Sequence, residues 1–267
     1  MNILYITYAL DGLLLIAMPI VLGFVVTRKY ELYWRLWWIG TAIYVLAQII
    51  LLPFDNYVVS QLLGKINNNP TLSAVSVLII SAVIVGVAVA LVEEALRYAM
   101  FRWWAKEARA WADGLLAGIG HGGAAAIFLG AIVLYNFLNM VYARSVDISK
   151  FVTADQLPLV QAQVNAYWST PWYTTLAEIV QQVFIFPVQI CLALVMLQAF
   201  LRKQWVWAFV AFGYHALFET TRVVAQNLLS GYWVVPVLAA FGIGSVFLIF
   251  ALRRTDSRDL STVPGNG

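Results

Sequence analysis

The chain alternates long apolar stretches with short polar connections. Runs close to the ~20 residues needed to cross a hydrocarbon core fall at 8–27, 34–54, 72–93, 114–135, 175–201, 204–222 and 232–252. In lipid such a run is a helix, because a helix satisfies its own backbone donors and acceptors without water. The pattern predicts about seven spans, the third able to continue as helix into Arg97–Trp104. The first run lacks a small-residue cleavage site, so it reads as an uncleaved anchor. Between the fourth and fifth runs lies a polar segment, about 143–172, with Asp147, Lys150, Asp155, Pro158 and Pro171. It is long enough to hold a short surface helix. No internal repeat is visible.

Composition agrees with the pattern. Hydrophobic residues make up 63% of the chain and charged ones 11%, against about 45–50% and about 25% in soluble proteins. Sixteen basic and thirteen acidic side chains cannot coat a soluble globule of this size. A soluble enzyme and a nucleic-acid binder are both excluded. Cys191, the one cysteine, lies in an apolar run, which excludes an intrachain disulfide and a cysteine-based zinc site. The expected fold class is all-α: one polytopic transmembrane helix bundle over 1–255, with a flexible tail over 256–267 and the lipid bilayer as its surroundings.

The basic residues are sorted by side. One set of connections carries Arg28, Lys29, Arg35, then Arg97, Arg102, Lys106 and Arg109, then Arg202 and Lys203, then Arg253, Arg254 and Arg258. The other set carries only Lys65, Arg144, Lys150 and Arg222. The positive-inside rule then places the N-terminus and segment 143–172 outside and the C-terminus in the cytoplasm.

Ionisable groups within spans cost several kcal/mol unless paired or solvated, so each is a candidate for function. Three clusters qualify: Glu93-Glu94-Ala95-Leu96-Arg97-Tyr98, Gly118-Ile119-Gly120-His121-Gly122-Gly123, and Gly213-Tyr214-His215-Ala216-Leu217-Phe218-Glu219 with Arg222 beyond. Tryptophans gauge their depth. Glu93 lies ten residues before Trp103, His121 ten after Trp111, and His215 ten after Trp205. At about 1.5 Å per residue each sits about 15 Å from the same interface. The chain's two histidines and an acidic pair thus share one level.

That set suits hydrolysis of a polar bond inside the membrane. Arg97 lies i+4 from Glu93 and i+3 from Glu94 and can pair with either, leaving the other acid short of a counter-charge. Two imidazoles beside a carboxylate can bind a divalent metal such as zinc and leave a position for water. Without metal, a glutamate can activate water directly while a histidine stabilises the oxyanion. Glu219, one turn from His215, can be a further ligand, support His215, or pair with Arg222. Glu178, Gln182 and Gln189 form a polar stripe on the fifth span, suited to interhelical hydrogen bonding or to a substrate path. Asp11 and Asp113 read as interfacial.

The ordered set of Glu-Glu-x-x-Arg-Tyr, Gly-x-Gly-His-Gly-Gly and a later histidine helix resembles the YhfC family of intramembrane metalloproteases, distant relatives of the CAAX-type membrane proteases. The resemblance runs from about 80 to 222. Two departures are Ala124-Ala125-Ala126, where an acidic residue is usual, and Glu219, where Asp or Asn is usual. It implies a multi-pass protein of the bacterial cell membrane and a Glu/His/His centre at mid-membrane depth, open to the cytoplasm. It also implies peptide or membrane-protein substrates. With the reading of the residues above, the candidate catalytic set is Glu93, Glu94, Arg97, His121 and His215, and the candidate metal set is His121, His215, Glu93 and Glu219. A non-enzymatic membrane scaffold derived from such a protease, and a small-solute transporter, are the competing readings.

Overall fold

The computed structural model describes residues 3–253, which contain no strand; the 256–267 tail lies outside the described residues. Helix α1 spans Ile3–Lys29 and α2 Arg35–Phe54. After α2 the chain continues through a widened π-turn, Asp55–Val59, into α3, Ser60–Asn67. Pro53 precedes that turn. It has no N–H to give to the Ile49 carbonyl, so the regular ladder is already interrupted in the turn before. Helix α4 spans Ala74–Ala99 and ends in a second π-turn, Met100–Trp104, which carries it beyond Arg97 as the sequence predicts. Helix α5 runs Trp111–Ser145, α6 Leu157–Ser169, α7 Ala177–Leu201, α8 Val206–Leu228 and α9 Val235–Arg253.

Six helical stretches among the described residues are long and apolar enough to cross a membrane. Helix α8, the remaining expected span, has the length at 23 residues but carries His215, Glu219 and Arg222. Its apolar content suffers for the residues it presents. Helix α5 is longer than expected: its 35 residues amount to about 52 Å of helix, well past a ~30 Å hydrocarbon core. Segment 143–172 does hold the short helix α6. Tyr8 stacks on Tyr167 and Tyr5 on Trp168, which fastens α6 to the start of α1.

Helix α7 is the central post, buried on every side from Val188 to Gln198. Around the site, α2, α5, α7, α8 and α4 form a ring, each touching the next, with α1 outside against α5 and α9 outside against α7. Lipid tails are as apolar as leucine, so helices are held together by close packing and polar contacts and little by hydrophobicity. Gly120 of α5 shows the consequence. A methyl group there would overlap the Trp37 carbonyl of α2. The two backbones touch, and the Thr41 hydroxyl donates to the Gly120 carbonyl at 3.1 Å.

The structure moves two acids away from the interface role. Asp11 is 1% exposed, and its Oδ1 accepts the Ile179 N–H at 3.0 Å. It caps the first turn of α7 from α1, where the helix dipole favours a negative charge. Asp113 reaches back to accept the N–H groups of Arg109 and Ala110 at 2.9 and 2.8 Å, which fixes the start of α5. Nearby, the exposed Arg35 guanidinium pairs with Glu107 and holds its carboxyl below the usual range.

Candidate active site

The three polar clusters meet. Glu93 comes from α4, His121 from α5 and His215 from α8, and they are 5%, 3% and 0% exposed. His121 Nε2 lies 3.0 Å from Glu93 Oε2, and His215 Nε2 lies 3.8 Å from the same oxygen. One carboxylate oxygen therefore stands between two imidazoles. The common depth read from the tryptophans is realised as contact, even though Trp111 is buried and donates to the Ile249 carbonyl at 2.9 Å.

Glu94 does a different job from Glu93. Its Oε1 is 2.8 Å from His215 Nδ1. An ionised carboxylate can only accept, so Nδ1 carries a proton and Nε2 is the nitrogen turned towards Glu93. Glu94 is itself paired with Arg97 Nη1, and Arg97 Nη2 donates to Gln189 Oε1 on α7 at 2.9 Å. The chain Gln189–Arg97–Glu94–His215 thus links α7, α4 and α8 and braces the Nδ1 edge of one imidazole. Arg97 remains 3.8 Å from Glu93. Gln189 had been readable only as part of a stripe; no local signal tells that it buttresses Arg97 across 92 residues.

Glu219 points elsewhere. Arg222 holds its Oε2 from Nη2 at 2.6 Å and from Nε at 3.0 Å. Of the residues named from the sequence, Glu93, Glu94, Arg97, His121 and His215 are brought together, while Glu219 is engaged one turn further along α8. Tyr44 of α2 packs edge-on against His121, with ring centroids 5.7 Å apart.

The donors fit a divalent metal in kind. Imidazoles and a carboxylate are the donor types of many zinc sites; here the two histidines would be the ligands and Glu93 the base beside them. His215 Nε2 is buried without a hydrogen-bond partner, and His215 Nδ1 has the carboxylate support typical of metal-bound histidine. Among the described residues no three such donors form a ready cage, because the Glu93 oxygen itself occupies the space between the rings.

A cavity of about 470 Å³ leads away from Glu93. Its wall contains Gln48 and Leu51 of α2 and Asp55 of the π-turn that follows, each later in the chain than Tyr44. It also contains Phe128 and Ile132 of α5, beyond His121, and Arg222 and Gln226 of α8, beyond His215. Helix α7 contributes its opening half, Glu178 to Gln189. All of these progress towards the end that carries segment 143–172. In the other direction the level next to the site is filled by Met100, Phe101, Leu194, Leu197 and Ala211, each at most 2% exposed. An apolar recess of about 370 Å³, lined by Tyr98, Phe209 and Phe212 among others, touches Glu94 there without offering a polar path. This cavity runs towards the end of the bundle that carries few basic residues, opposite to the side on which the sequence reading expects the opening. The charge count places that end outside.

Comparison with known proteins identifies the family. The family profile described as "YhfC intramembrane metalloprotease" matches residues 14–239. A Bacillus subtilis (strain 168) protein described as "Uncharacterized membrane protein YhfC" is 26% identical over 257 residues, covering 87% of this chain and 96% of its own. No solved structure matches.

Proposed function

This chain belongs to the YhfC intramembrane metalloprotease family, and from that premise we propose that it hydrolyses peptide bonds within the membrane at Glu93, His121 and His215. The observation that carries the reading is the single Glu93 oxygen set between two imidazole nitrogens at 3.0 and 3.8 Å. It is supported by a cavity of about 470 Å³ whose wall includes Glu93.

Glu93 takes a proton from water as the water oxygen bonds to the carbonyl carbon of the substrate. It returns that proton to the amide nitrogen as the C–N bond breaks, leaving a new carboxylate and a new amine. His121 and His215 would hold a divalent ion, zinc by the chemistry of the donors, which would polarise the carbonyl and lower the pKa of the attacking water. Glu94 keeps His215 in the tautomer whose Nε2 faces the centre, and Arg97 keeps Glu94 ionised and aimed. Because the walls exclude bulk water on the basic side, charge developing on the carbonyl oxygen is stabilised more strongly than it is in solution.

The test is metal content and hydrolysis of the purified full chain in detergent, repeated with His121→Ala and His215→Ala. A quenched-fluorescent apolar peptide serves as substrate. We expect about one zinc per chain, lost in both variants together with peptide hydrolysis. Hydrolysis by the parent chain that persists in both histidine variants would defeat the proposal, as would a parent chain without hydrolysis. Hydrolysis without bound metal would leave Glu93 as the direct activator of water and remove the metal from the reading.

A further inference from the structure

The outward cavity is more than a water channel, because its wall is chemically patterned. Gln182 of α7 lines it at 5% exposure, and its Nε2 has no hydrogen-bond partner. A buried amide left without a partner is costly, so this one is set to meet something that enters. At the mouth stand Asp55 and Glu178, neither in an ion pair among the described residues, with Asp55 Oδ1 also lacking a partner. The one cation on the wall, Arg222, is already held by Glu219 and Gln226. The lining therefore carries a local excess of negative charge.

The two mouth acids share a level. Asp55 lies eleven residues beyond Tyr44, which packs on His121, and Glu178 lies eleven residues before Gln189, which braces Arg97. At 1.5 Å per helical residue, both stand about 16 Å from the Glu93 level. An extended peptide covers about 3.3 Å per residue, so that distance is about five residues of substrate.

We propose that this cavity binds an unwound peptide segment carrying a lysine or arginine about five residues from the bond presented to Glu93. The cation sits between Asp55 and Glu178, and the main chain bonds to Gln182. The assignment rests on the protease reading for its scissile bond and deepens it by naming the substrate class. Chemistry favours a peptide over a small cation. The apolar wall of Leu51, Val89, Phe128 and Ile132 accepts side chains on either side of the strand, while the unpaired amide and acids accept its polar groups.

The experiment compares two labelled, end-blocked apolar peptides that differ at one position, lysine in one and its uncharged isostere norleucine in the other. Fluorescence anisotropy reads their binding to the full chain bearing Glu93→Gln, so that nothing is cleaved. The lysine peptide should bind about tenfold more tightly, a margin within reach of a desolvated charge pair. That preference should fall below about twofold when Asp55→Asn and Glu178→Gln are added, singly or together. Gln182→Leu should weaken both peptides alike. Equal affinity of the two peptides, no binding of either, or a preference that survives loss of both acids overturns the proposal. Thermal unfolding of each variant separates misfolding from lost binding. Cleavage by the chain with its native Glu93 is scored separately. A preference without cleavage keeps the cation site and removes the protease reading, whereas cleavage without a preference does the reverse.

Discussion

At the scale of single residues, the adjacent acids Glu93 and Glu94 have opposite assignments. Glu93 touches both imidazoles at the side that faces the cavity; Glu94 lies behind His215 and never meets that space. Substitution should separate them. Glu93→Gln removes the proton acceptor and should lower turnover of the quenched-fluorescent peptide at least about a hundredfold. Glu94→Gln leaves the acceptor in place and loosens only the ring behind it, for a loss of about ten- to a hundredfold. Equal losses in the two variants would contradict the division of labour. Arg97→Met takes the partner from a buried carboxylate, and unfolding should become easier by about 3–5 kcal/mol, measured by thermal or denaturant melts. The Glu-Glu-x-x-Arg spacing makes these three residues legible as a unit in the sequence. Which acid faces the histidines is not legible, because neighbouring residues on a helix diverge by about 100° and the azimuth of α4 is set by helices far away in the chain.

Elements are joined by a few polar ties whose partners lie far apart in sequence. Asp11 in α1 reaches the N–H of Ile179 in α7 across 168 residues. From sequence, an acid near a span end looks interfacial; burial and a cap appear only once α1 and α7 are neighbours. Asp11→Ala should destabilise the first turn of α7 by about 1 kcal/mol, the usual worth of a cap, with faster amide exchange at Ile179 as the local readout. Exchange unchanged at Ile179 would leave Asp11 without that role. The helices themselves were readable because apolar length determines them. The excess length of α5 was not, since its final turns lie past the apolar run and are stabilised by aromatic contacts with α1 and α6.

For the whole molecule, the decisive property is sidedness. The sequence places the ionisable groups at one depth and the basic residues on one face, but it does not say which way the space around the site opens. That depends on which side of the level is filled with side chains: here Met100, Phe101 and Leu197 close the basic side and Gln48, Asp55 and Gln226 border the open one. Cys191 is the native thiol and is buried, so introduced cysteines report cleanly on access. Gln226→Cys should react with a membrane-impermeant maleimide on intact cells, while Lys106→Cys should react only after permeabilisation. The reverse pattern would place the mouth in the cytoplasm.

Helix α8 carries a consequence for how the protein is made. The other long helices are apolar enough to be accepted by lipid as they emerge from the ribosome, but α8 brings a histidine and a charged pair into the bilayer. A translocating chain gains little by depositing such a segment alone. Its residence becomes favourable once α4 is in place to meet it, with Glu94 receiving His215 and Gly86 admitting the α8 backbone beside Thr220. Membrane integration of α8 is thereby tied to the correct placement of the acids made earlier. A chain that has mis-seated α4 leaves His215 without its carboxylate, so the contact that positions the ring at the centre also favours the correct seating of α8.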